Sequence, residues 1–148
     1  MSSDANALAQ IELHKALAPQ YAYRYSFPWS RLFQEDWHGE MISHVQPDAK
    51  HILDLGCGTG FFTLAAAGMA GSAGRLICMD PCAAYVDRVG AKARQAGLSN
   101  MELLRRDALR TGLEDATIDT ALLLGVIPFP TLPLNRLLPA MHRVLKTE

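Results

Sequence analysis

The chain has 148 residues, the length of one domain, and 49% of them are apolar, so it can bury a sizeable core. Its formal net charge of −1 gives no electrostatic case for nucleic acid or an anionic membrane as a partner. No apolar stretch approaches the ~20 residues of a membrane span, and the first turns, with Asp4 and Glu12, lack the apolar core of a signal peptide, which predicts a cytoplasmic setting.

Residues 5–17 predict a helix with Ala9, Leu13, Ala16 and Leu17 on one face and Pro19 as its stop. An aromatic cluster follows: Tyr21, Tyr23, Tyr25, Phe27 and Trp29. Ser30 suits the N-cap of a second helix over about 31–45, which carries Leu32, Phe33, Trp37, Met41 and Val45. Residues 1–46 therefore form an N-terminal helical and aromatic segment, and Pro47-Asp48 turns the chain into residues 47–148.

Ile52, Leu53 and Leu55 read as a short buried strand around Asp54, which Gly56, Gly58 and Gly60 then break. A helix-compatible run begins at Phe61. Glycines at alternate positions let the backbone turn tightly and approach a ligand without Cβ atoms in the way. The helix that follows turns its free N–H groups and positive dipole end toward that loop. Strand, bare loop and helix N-terminus together predict a nucleotide-type ligand site.

Arg75 to Asp80 forms a second strand and closes a right-handed βαβ unit. Asp80 stands at its carboxyl end, twenty residues after Gly60, where an acid can accept both hydroxyls of a ribose. The competing role is to cap the helix of about 82–96, with Pro81 at the first helical position; the ribose is the favoured reading. Gly97 is the expected stop of that helix. Met101 to Arg105 is a third strand, followed by Arg106, Asp107 and Ala108. A carboxylate here either accepts from an exocyclic amine or pairs with Arg105, Arg106 or Arg110. Thr120 to Leu124 is a fourth strand, ending at Gly125 and the apolar Val126-Ile127-Pro128-Phe129-Pro130. The last helix, from about Leu134, presents Leu134, Leu137, Leu138, Met141 and Leu145, with a kink or restart expected at Pro139.

Three cysteines, Cys57, Cys78 and Cys82, fit reduced thiols; Cys78 and Cys82 have no second pair with which to build a zinc site, and no metal is expected.

Asp54-Leu55-Gly56-Cys57-Gly58-Thr59-Gly60 resembles the cofactor motif of class I S-adenosylmethionine-dependent methyltransferases. Over about residues 40–146 the wider resemblance is to the branch with the ubiquinone/menaquinone-biosynthesis and many small-molecule enzymes. A dinucleotide fingerprint would need a glycine where Phe61 stands. The resemblance implies a Rossmann-like α/β fold with a parallel sheet in the order 3-2-1-4, helices on both faces, and further strands beyond the last helix. None of those strands is present, so the fourth strand is expected to be an open edge, with the last helix poorly covered and the chain prone to self-association there. It also implies S-adenosyl-L-methionine as cofactor, held by Asp54, Gly56, Cys57, Gly58, Gly60, Asp80, Pro81, Asp107, Ala108 and Gly125. In that family the region before the glycine loop often lies over the cofactor and helps to form the substrate pocket, so residues 1–46 are expected on the lid or substrate side; the acid beyond the third strand bonds the adenine amino group, the next backbone N–H meets a ring nitrogen, and the segment after the fourth strand lies beside the methyl acceptor. Many relatives carry histidines where this chain has Pro128 and Phe129, so no base is expected there and the wall should be apolar.

The predicted activity is methyl transfer to an oxygen, nitrogen, sulfur or carbon atom of a small molecule. Tyr21, Tyr23, Tyr25 and His38 are candidate bases by position alone, and none is preferred. Two alternatives belong to other classes: a non-catalytic truncated chain that needs a partner, and a nicotinamide- or flavin-nucleotide-binding protein.

Overall fold

Five-residue apolar runs flanked by turn-forming glycines pair most readily as parallel strands when helices bridge them. That is the arrangement in the computed structural model, which describes residues 3–24, 27–127 and 132–147. The elements are α1 (Ser3–Arg24), α2 (Pro28–His44), β1 (His51–Leu55), α3 (Thr63–Ala70), β2 (Arg75–Met79), α4 (Ala83–Gln95), β3 (Met101–Leu104), β4 (Thr120–Leu122) and α5 (Leu134–Val144). The four strands form one parallel sheet in the order β3-β2-β1-β4, as expected. Register is close: Leu53 faces Ile77 on one side and Ala121 on the other.

Strand alternation divides the core into two layers. Ile52, Leu76 and Cys78 meet Ala66, Ala67 and Ala70 of α3, Val89 of α4 and Met41 of α2. Leu53, Leu55, Ile77 and Met79 face the other way, onto Leu137, Met141 and Val144 of α5. Ile52, Leu53, Leu76 and Leu137 are all fully buried.

Three local expectations are corrected. Pro19 does not stop α1, which continues to Arg24. The carbonyl that a proline leaves without a donor belongs here to exposed Lys15, where water can satisfy it, while adjacent Ala18 is buried against Cys82 and Tyr85. The same reasoning applies to Pro139: α5 is continuous through it, and Asn135, whose carbonyl is freed, is an exposed residue. In α2, Ser30 is not the cap. The helix starts at Pro28, whose fixed φ and missing N–H suit a first helical position. Ser30 sits two residues in, buried, its N–H donating to the Phe27 carbonyl at 3.0 Å.

The last helix is also better covered than expected. Leu137, Met141 and Val144 are buried on the sheet, and only Leu134 and Leu138 of the stripe stand 45% and 53% exposed. Beyond α5, Leu145 makes a parallel bridge with Ile118, and Lys146 donates its backbone N–H to the Ile118 carbonyl at 2.9 Å. Asp119 ties this corner together. One carboxylate oxygen accepts from the Lys50 and His51 N–H groups at 2.9 and 2.7 Å, and the other from Lys146 Nζ at 2.6 Å. Partial burial raises the Asp119 pKa, but Lys146 and the two N–H groups outweigh it and hold the carboxyl down at about 2. A depressed pKa contributes stability above the ordinary carboxylate range, lost as pH falls from about 4 toward 2.

β4 itself is three residues long and pairs along its length with β1 alone among the described residues. Its amides should therefore exchange with deuterium faster than those of β1, which is paired on both sides. Mass-spectrometric exchange on the chain tests this; equal protection of 120–122 and 52–55 would mean that something covers the edge.

Candidate functional site

A cavity of about 570 Å³ opens above the carboxyl ends of the strands, where open α/β sheets bind their ligands. Its floor is the turn after β1. Gly56, Gly58 and Gly60 all have positive φ (70°, 53° and 81°), a conformation that other residues adopt at a cost. Space matters as well as φ. A Cβ on Gly56 would lie 2.5 Å from Val126 Cγ2, whereas one on Gly58 would project toward the cavity, with the Gly56 carbonyl oxygen as its nearest neighbour at 3.9 Å.

Side chains from three directions hold this turn in place. The Gly58 N–H donates to Asp80 Oδ2 at 3.1 Å. Lys92 Nζ of α4 donates to the Thr59 carbonyl at 2.6 Å. On the other flank His38 of α2 bonds the Phe61 carbonyl through Nε2 at 2.6 Å, with its ring edge-on to Phe61 and Phe62. The peptide groups of the loop are thereby fixed before any ligand arrives.

Two acids are buried here, Asp54 at 4% and Asp80 at 7% exposure. Burial pushes the Asp54 carboxyl up to about 6; the hydrogen bond from Thr63 Oγ1 at 2.7 Å opposes this, and the charge of Asp80 adds to it. Burial also raises Asp80, against the N–H groups of Cys82 and Gly58 and the influence of His14. The Cys82 N–H reaches Asp80 Oδ1 at 2.8 Å. Cys82, not Asp80, is the N-cap residue of α4, so the capping role weighed for Asp80 is corrected. Its carboxylate braces the chain on both sides of the cavity. Burial pushes the Cys57 and Cys78 thiols up, with Asp54's charge adding to it, so neither is a ready thiolate. Among the described residues no group of three or more His, Cys, Asp or Glu could hold a metal.

Of the residues singled out in the sequence, Asp54, Gly56, Cys57, Gly58, Asp80, Pro81, Asp107, Ala108 and Gly125 all line this one cavity. Gly60 does not. It turns the chain away, and a Cβ there would meet Val89 Cγ2 at 3.0 Å. Asp107 Oδ1 accepts the Leu109 N–H at 2.6 Å and takes part in no ion pair among the described residues, while Arg106 is occupied with the Thr111 carbonyl at 2.8 Å. Of the candidate bases, Tyr23 stands 68% exposed against Phe27, and neither it nor His38 lines the cavity. The rings of Tyr21 and Tyr25, like residues 128–130, lie outside the described residues.

Sequence reasoning singled out none of the α1 residues that line the cavity. Gln10, Ile11 and His14 line the cavity, and His14 Nδ1 meets the Tyr85 hydroxyl of α4 at 3.1 Å. No local signal marks such a pair, because the partners are 71 residues apart. Phe33 and Trp37 of α2 complete the wall beside Phe61 and Phe62.

A family model described as a methyltransferase domain matches residues 52–148. No curated protein sequence is significantly similar to the chain. Among solved structures, an S-adenosylmethionine-dependent methyltransferase from Aquifex aeolicus is 25% identical, with a TM-score of 0.68 over 86% of this chain and 67% of that one. A putative S-adenosylmethionine-dependent methyltransferase from Methanococcus maripaludis (16% identical, TM-score 0.71) is covered over 88% of this chain and 58% of its own. Geranyl diphosphate C-methyltransferase from Streptomyces coelicolor, solved with Mg2+, geranyl diphosphate and S-adenosyl-L-homocysteine, is 20% identical, with a TM-score of 0.64 over 77% of this chain and 42% of that one. The latter two speak for the fold alone. The family match runs from the second residue of β1 through the whole sheet and cavity floor, so this chain belongs to the methyltransferase-domain family and its cofactor is S-adenosyl-L-methionine.

Proposed function

We propose that the cavity above the sheet is a methyl-transfer site serving a small-molecule acceptor. The observation that carries this reading is the pairing of a bare glycine turn with two buried carboxylates in one cavity. Gly58 and Gly125 leave space in the floor that a Cβ would occupy, which suits close approach of the cofactor's methionine part. Asp54 and Asp80 are buried acids whose charge a cationic ligand would relieve. Asp80 and Pro81 then face the ribose, Asp107 and Ala108 the adenine, and Gly56, Cys57 and Gly125 the methionine, with Gly60 shaping the turn. Residues 1–46 act as a cover, with α1 packed on α4 and α2 on α3.

The cofactor supplies a methyl group already activated by its positive sulfur. The protein's task is to hold that group in line with the acceptor and to exclude water. No catalytic base is assigned. Calorimetric titration with S-adenosyl-L-homocysteine, with NAD as control, tests the reading; heat from NAD alone would overturn it.

The raised Asp54 pKa adds a pH prediction with a definite sign. In the free protein the folded state holds this proton more tightly than the unfolded chain. Asp54 therefore contributes stability at low pH that is lost as pH rises from about 4 through about 6. Binding of the cationic cofactor runs the other way, because it favours the ionised acid. Affinity should fall up to about tenfold per pH unit below about 6. Asp54→Asn should flatten that profile, which calorimetry between pH 5 and 7.5 would show.

A further inference from the structure

α2 meets the body of the protein along a narrow strip. Ser30, Gln34, His38 and Met41 recur at helical spacing and are its less exposed residues, while Phe33 and Trp37 beside them stand 49% and 46% exposed. Apolar anchoring is confined to one end. Met41, and Val45 just beyond the helix, join the α3 layer of the core, whereas no apolar residue among 28–40 is buried. The first turns of α2 are thus held with little apolar burial, which makes their release from the body cheap.

A polar contact fastens them to the cavity floor. A carbonyl only accepts, so His38 Nε2 carries the proton and donates to the Phe61 carbonyl at 2.6 Å. The imidazole also packs edge-on against Phe61 and Phe62, with centroids 5.5 Å away in both cases, and Phe33 adds a looser ring contact to Phe61 at 6.4 Å. Phe61 belongs to the glycine turn, and it lines the cavity together with Phe62, Phe33 and Trp37. A molecule in the cavity therefore touches the turn and the inner side of α2 at once, and favours the docked arrangement over a released one. Lys92 holds the other flank of the same turn through the Thr59 carbonyl, but from α4 and not from α2.

We propose that His38 is a positioning residue that couples the docking of α2 to occupation of the cofactor turn, a role that rests on the proposed function. Cofactor in the turn closes the latch and sets Phe33 and Trp37 against the cavity. With α2 docked, the Phe61 peptide is held and the cofactor binds more tightly. The two effects are reciprocal by linkage.

The test is hydrogen exchange read by mass spectrometry on the full chain, with and without saturating S-adenosyl-L-homocysteine, paired with calorimetry. In the parent chain S-adenosyl-L-homocysteine should slow exchange across 28–40 as well as across the turn at 56–62. His38→Phe keeps a ring and removes the donor. It should weaken binding about tenfold, within the usual range of a coupling between sites, and lose the ligand-induced slowing at 28–40 while keeping it at 56–62. His38→Gln returns a donor near the Nε2 position and should recover both. Lys92→Met, which frees the turn on its other flank, should weaken binding yet keep the slowing at 28–40. A purely structural role would lower the melting temperature of His38→Phe and leave the ligand-induced difference in α2 intact, which overturns the coupling. Loss of that difference in Lys92→Met, or binding by the parent chain with α2 exchange unchanged, overturns it too. Absence of S-adenosyl-L-homocysteine binding by the parent chain would overturn the cofactor assignment itself, and the coupling with it.

Discussion

Gly58→Val is expected to abolish cofactor binding, lowering affinity for S-adenosyl-L-homocysteine by about 3 kcal/mol or more, a hundredfold, with far-UV circular dichroism close to that of the parent. Two effects act together. The isopropyl group would project toward the cavity, where nothing nearer than the Gly56 carbonyl oxygen opposes it, and so would fill ligand space. Gly58 also has φ near +53°, which a β-branched residue adopts only under strain. Gly97→Val separates the two, because Gly97 has φ near +68°, lies at the far end of α4 and meets nothing within 4 Å. The control should lose stability and keep cofactor affinity. Normal binding by Gly58→Val would show that the turn is not the site.

Asp80→Ala should be nearly as damaging, and Asp80→Asn less so. The carboxylate accepts from Gly58 and Cys82 at 3.1 and 2.8 Å, so it braces the cavity floor while facing the proposed ribose. Asparagine keeps one acceptor oxygen and can serve one of those N–H groups. It should cost about 1–3 kcal/mol of cofactor affinity, the range for weakening a charged hydrogen bond in a buried site. Alanine leaves both N–H groups without their partner. The two roles separate in paired measurements of affinity and melting temperature. If both variants bind normally and only melt earlier, Asp80 is a brace and the ribose assignment is wrong.

What the chain order alone determined here is the sheet and its working end. Apolar runs at 52–55, 76–79 and 120–122, broken by glycine and linked by helices, allow little other than parallel strands with right-handed crossovers. That topology places Asp80, Asp107 and Gly125 at the same end as the glycine turn, so a motif read one residue at a time converged on one cavity. Local rules failed where packing overrode them. Pro19 and Pro139 read as breaks, yet the residues whose carbonyls they free, Lys15 and Asn135, are exposed, and buried Ala18 and Leu137 hold their helices in place. Gly60 belongs to the motif but serves the turn, because Val89 stands behind it.

The tertiary structure alone decided which side chains cover the cavity. His14 meets Tyr85, and His38 meets Phe61, only because α1 docks on α4 and α2 on α3. Neither pairing leaves a periodic or spaced signal in the chain. Strand order likewise places β3 and β4 at opposite edges although they are successive in sequence.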